Sequence, residues 1–240
     1  MLDIGKYRGY LKPYLSKPAT EEPKIHGGKS TSLKEFLKKI RQQIKQKDEA
    51  RQEIQAAMRS ATRLSKIAIL MVHQGRFEDA ESMLKDASSV FSKLGESAKG
   101  NAELIYSGVV DAAYQEYAEA CVFLKLVKED RFVSFEEIGV PASSYVLGLA
   151  DVIGELRRKV LDSLRQGEVS TAEKYLNLMD QIYIDLTGMG DAYFLIPGLR
   201  RKCDVARRII ETTRGDVTIE ARRESLESSI EKLRKKLEER

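Results

Sequence analysis

From residue 33 onward, apolar side chains recur at threes and fours with almost no interruption. Leu33, Phe36, Leu37, Ile40 and Ile44 lead into Ile54, Met58, Ala61, Leu64, Ile67, Ala68 and Met71. This spacing predicts one helix of about 40 residues, roughly 60 Å long at a rise of 1.5 Å per residue. Ser32 and Glu35 stand at the two positions of a capping box, and Gly75 supplies a stop. The first half of the helix is rich in Lys, Gln and Arg and thin in apolar residues, which suits packing on another subunit or projecting from the fold.

The pattern then repeats in shorter pieces. A second helix is predicted over 77–94, with Ala80, Met83, Leu84, Ala87, Val90 and Phe91 on one face. A third, over 102–128, is apolar nearly all round from Leu104 to Val127, as a central helix is. Residues 129–140 read as a polar connection. Pro141 suits the first turn of a fourth helix, which Gly167 stops. A fifth spans 170–187, its stripe made by Ala172, Tyr175, Leu176, Met179, Ile182, Tyr183 and Leu186. Pro197 opens a sixth that Gly215 ends, and a seventh runs over 218–240 with Leu226, Ile230, Leu233 and Leu237 near heptad spacing. No strand alternation is visible. The expected architecture is all-α, seven helices in a single domain over 32–240, with no fixed-period repeat.

Two helices break the apolar pattern in the same way. Residues 145–156 read Tyr-Val-Leu-Gly-Leu-Ala-Asp-Val-Ile-Gly-Glu-Leu, and the two polar residues among them, Asp151 and Glu155, are acids one turn apart. Residues 114–123 place Glu116 and Glu119 three apart among Tyr, Ala, Cys, Val and Phe. Like charges repel at these spacings, and a buried unpaired carboxylate is costly. Facing one another, four such acids would make a hard-oxygen site for Mg²⁺ or Mn²⁺. The competing reading is a set of salt bridges to Arg157, Arg158, Arg200 or Arg201. A di-iron bundle would need Glu-x-x-His on two helices, and neither His26 nor His73 stands in that motif.

Composition narrows the picture modestly. The 240 residues are 42% hydrophobic, enough for a sizeable core, and the net charge of +4 is compatible with a nucleic-acid partner without demanding one. Two cysteines, Cys121 and Cys203, cannot form a disulfide framework, which points to a reduced interior. With no apolar leader and no spanning run, a soluble cytoplasmic protein without membrane contact is expected. Residues 1–31 carry Pro13, Pro18, Pro23, Gly27 and Gly28 among lysines and tyrosines, and read as a flexible arm or as a basic-aromatic tail for nucleic acid. Gly28-Lys29-Ser30 is no phosphate loop, because Pro23 stands where a glycine is needed and no strand precedes it.

The stretch 145–156 and the run Gln115-Glu116-Tyr117-Ala118-Glu119-Ala120 resemble translin-associated factor X, and Val72-His73-Gln74-Gly75 is similar to translin. The likeness runs from about residue 35 to residue 218. It implies an all-α protein that assembles as a homo-oligomer, an octameric shell binding single-stranded RNA or DNA. It further implies metal-dependent endoribonuclease activity carried by Glu116, Glu119, Asp151 and Glu155. The family's basic nucleic-acid segments have no counterpart in residues 76–123. The candidate phosphate contacts are instead Arg157, Arg158, Arg200, Arg201, Lys202, Arg207 and Arg208. A binding protein that does not cut, or a purely structural assembly with salt-bridged acids, remains the alternative.

Overall fold

The computed structural model describes residues 32–97 and 107–238. The expected arm over 1–31 lies outside these, as do residues 102–106, where the third helix is expected to begin. Seven α-helices are present among the described residues: α1 Leu33–His73, α2 Phe77–Ser97, α3 Gly108–Glu129, α4 Phe135–Ile138, α5 Ala142–Arg165, α6 Val169–Gly188 and α7 Leu199–Glu238, with a 3₁₀ turn at Gly190–Tyr193. No strand occurs among the described residues. The chain divides into two compact units, Met1–Lys45 and Gln46–Arg240. In the first, Leu33, Phe36, Leu37, Ile40 and Ile44 are all exposed.

The helix ends follow local chemistry. The Glu35 carboxylate accepts the Ser32 N–H at 3.2 Å, one half of the expected capping box. Gly75, Gly139 and Gly167 close α1, α4 and α5 at φ +73°, +68° and +76°, where a side chain would be strained. Ser134 caps α4, its hydroxyl accepting the Glu137 N–H at 3.2 Å, so the polar connection contains one helical turn.

One expectation fails. The sixth and seventh helices are a single 40-residue helix, α7, and Gly215 lies inside it. A helix-interior glycine costs about 1 kcal/mol relative to alanine. That is less than the packing around it contributes, since Thr213 and Val217 are buried on either side. Glycine weakens a helix here without ending it.

In the second unit α5 packs on α3, α6 and α7. α3 is buried on most sides, as its all-round apolar pattern requires: Tyr117, Ala118, Ala120, Cys121, Val122, Phe123, Leu124 and Leu126 all lie in the core. Complete burial of a Phe123 or an Ile153 side chain contributes roughly 2–3 kcal/mol each. The two cysteines are free and buried.

Candidate functional site

Gly148 sets the geometry of the α3–α5 contact. A Cβ added there would lie 2.6 Å from the Gln115 carbonyl oxygen and 3.0 Å from the Glu119 backbone nitrogen. Only a residue without a side chain lets the two backbones approach so closely. The close approach falls on the turn of α3 that carries Glu116 and Glu119, and one turn before Asp151 on α5. Small residues therefore bring the four acids together.

Their mutual effect centres on Glu119, which is only 9% exposed. Its carboxyl is pushed up from the ordinary 4.5 to about 8. Burial is the largest cause, followed by the negative charges of Asp151, Glu116 and Glu155, with Lys202 pulling the other way. All four predicted acids thus share one electrostatic site.

The counter-charges are not the arginines named as salt-bridge partners. Lys66 of α1 reaches Glu116 at 3.3 Å. Lys202 of α7 bonds Asp151. His73, the last residue of α1, sits 2.6 Å from Glu155 through Nε2, its side chain only 3% exposed. A carboxylate accepts only, so Nε2–H is the donor. The His73 ring rests against Phe123 at 4.8 Å between centroids, and its Nδ1 is buried without a partner. His73 is the functional candidate that sequence spacing missed. The signal available was its place in the 72–75 stretch; nothing in that stretch says that it turns toward α5.

The predicted basic residues separate into groups. Arg157 is drawn into the fold, donating to the Thr213 hydroxyl at 2.7 Å and the Ile209 carbonyl at 3.3 Å, with Asp216 at 3.7 Å. Arg207 pairs with Glu211 at 3.8 Å along its own helix. Arg158, Arg200 and Arg208 are exposed. Arg201 and Lys202 line a cleft of about 390 Å³ whose wall includes Asp151. Its remaining surface is small and apolar: Ala150, Gly154, Gly198, Val205, Ala206 and Ile209. One carboxylate of the cluster therefore opens directly onto a cleft with two cations and an apolar floor.

As the side chains stand, no group of three or more His, Cys, Asp or Glu among the described residues is arranged to hold a metal ion. The donor set nonetheless suits a hard divalent cation. It offers carboxylate oxygens only, crowded enough to keep Glu119 protonated near neutrality, and three of the acids already attract a cationic or hydrogen-donating side chain.

Comparison with known proteins gives concordant results. The family model described as Translin family matches residues 49–213. An uncharacterized protein of Methanocaldococcus jannaschii is 33% identical over 173 residues, covering 71% of this chain and 76% of that one. Among solved structures, AfC3PO in complex with duplex RNA superposes with a TM-score of 0.69 at 30% identity, over 78% of this chain and 96% of that one. The crystal structure of AfC3PO matches equally at 31% identity, covering 78% and 97%. Apo-NeC3PO gives a TM-score of 0.67 at 26% identity, covering 80% of this chain and 100% of that one.

Proposed function

The chain belongs to the Translin family, and from that premise we propose that it is an RNA-binding, divalent-metal-dependent endoribonuclease that acts as a homo-oligomer. The observation that carries this reading is the convergence of Glu116, Glu119, Asp151 and Glu155 around one buried carboxyl, beside a cleft lined by Arg201 and Lys202. The four acids would hold Mg²⁺ or Mn²⁺. When bound, such an ion supplies charge neutralisation at a phosphodiester and an acidified water.

The chain's own groups do the rest. Arg201 and Lys202 attract the phosphate backbone to the cleft. Arg208 follows Arg201 by two helical turns on α7 and extends the same basic row. The apolar floor of Val205, Ala206 and Ile209 offers a surface for a base beside that backbone. His73 orients Glu155 through its Nε2–H, and Lys66 holds Glu116. Assembly follows the family pattern of an octamer. Exposed apolar residues at Leu70 and Val109, around a groove of about 690 Å³ between α1 and α3, favour contact with another copy.

The substrate expected from the sequence is a single strand. A second reading, that duplex RNA also occupies the cleft, is favoured by the AfC3PO complex with duplex RNA. Both are tested together by incubating labelled single-stranded and duplex RNA with the protein, with Mg²⁺, Mn²⁺ or EDTA. Metal-stimulated product that disappears in Asp151→Ala supports the enzyme. Undiminished cleavage by Asp151→Ala sinks the site assignment, and salt-sensitive binding without product leaves a binding protein.

A further inference from the structure

The last third of α7 carries an apolar stripe that its own bundle does not cover. Up to Val217 the helix buries Leu199, Cys203, Ala206, Ile210, Thr213 and Val217 on one face. Leu226 follows Val217 by nine residues, about two and a half turns at 3.6 residues per turn, so the stripe has moved to the opposite side of the helix. Ile219, Leu226, Ile230, Leu233 and Leu237 are 62%, 61%, 57%, 59% and 63% exposed. Five large apolar side chains in register, each more than half exposed, mark a contact surface. This segment also lies beyond residue 213, where the family match ends.

The register names the partner. Ile219, Leu226 and Leu233 fall at d positions of a heptad, and Arg223, Ile230 and Leu237 at a. In the central layers Ile230 at a lies between Leu226 and Leu233 at d, the combination that favours two parallel strands, and a single basic residue at a, Arg223, specifies register at some cost in stability. In a parallel pair Arg222, at g, meets Glu227, at e, of the other chain, an attractive contact made twice. About three heptads are marginal in isolation, but here the helix is already nucleated by the buried part of α7.

We propose that residues 219–237 of two copies of this chain pair as a parallel two-stranded coiled coil, joining copies through a contact outside the family's matched region. The inference specifies one contact of the homo-oligomer and does not depend on the nuclease reading. In the full chain, Leu226→Cys and Leu233→Cys should each form a disulfide-linked dimer under mild oxidation, since facing d positions lie within disulfide reach. Ser228→Cys, at an f position, should not. Adding Ile230→Asp to the Leu233→Cys chain should reduce linkage at least tenfold while circular dichroism shows the bundle still folded, because Ile230 is exposed in the single chain. The native cysteines are buried and should stay silent. Equal linkage at Ser228→Cys, or none at either d position, overturns the pairing. Linkage only when Leu226→Cys chains are mixed with Ile230→Cys chains would show an antiparallel arrangement, in which d faces a, and overturn it as well. Each readout is independent of RNA cleavage, so failure here and failure of the nuclease reading are distinguishable.

Discussion

Replacing Glu119 with glutamine keeps the shape of the side chain and removes only its ability to ionise. In the folded protein the Glu119 carboxyl gives up its proton near pH 8, against an ordinary value of 4.5. Between these values the folded carboxyl holds its proton while the unfolded chain has lost it, so the wild-type fold loses stability as pH rises. Each pH unit of that interval is worth about 1.4 kcal/mol, which sets an upper limit of about 5 kcal/mol. Water and the neighbouring Lys202 relax around a real carboxylate, so about 2–4 kcal/mol is expected. For a chain of this size that corresponds to roughly 5–15 °C in Tm. The assay is thermal unfolding of wild type and Glu119→Gln in EDTA from pH 5 to pH 9. The variant should match wild type near pH 5 and exceed it increasingly toward pH 9. Mg²⁺ should raise the wild-type Tm at pH 8 and leave the variant nearly unmoved, and RNA cleavage should be lost in the variant. Parallel stability curves across the whole range would refute the claim that burial and like charge crowd this carboxyl.

Three further outcomes follow from the same geometry. Gly148→Ala forces a Cβ against the Gln115 carbonyl and should cost about 1–3 kcal/mol by overpacking, measured by urea unfolding, with cleavage falling further than folding alone explains. Gly154→Leu meets nothing within 4 Å and should leave the melting temperature equal or higher, since leucine is the better helix former by up to about 1 kcal/mol. Its side chain would intrude on the cleft beside Asp151 and should weaken RNA binding in a filter assay at least several-fold. His73→Leu keeps an apolar body against Phe123 but leaves Glu155 without its donor, and should destabilise by about 1–3 kcal/mol in urea unfolding.

Much of the fold is legible in the chain because helix periodicity is a local property. The starts at Ser32 and Pro141, the stops at Gly75 and Gly167, and the all-round apolar character of α3 each follow from a handful of neighbouring residues. Gly215 is the exception. Whether a glycine ends a helix depends on what packs around it, and burial of Thr213 and Val217 lies outside the local window. The four acids could be picked out because carboxylates at helical spacing inside apolar runs are rare and costly. Their partners could not, since nothing local distinguishes Arg157, which turns to Thr213, from Lys202, which turns to Asp151.

By itself the sequence determined the all-α class, most of the helices and the face each one buries, the four acidic positions and the near-heptad spacing of Leu226, Ile230, Leu233 and Leu237, because each is encoded in spacing along a single element. The tertiary structure alone decided that Gly148 lets α3 and α5 close to backbone contact, that Glu119 is the acid at the centre, and that His73, Lys66 and Lys202 supply the counter-charges. Those features depend on which helices meet and at what distance. Electrostatic energy in a low-dielectric interior is set by that distance and not by order along the chain.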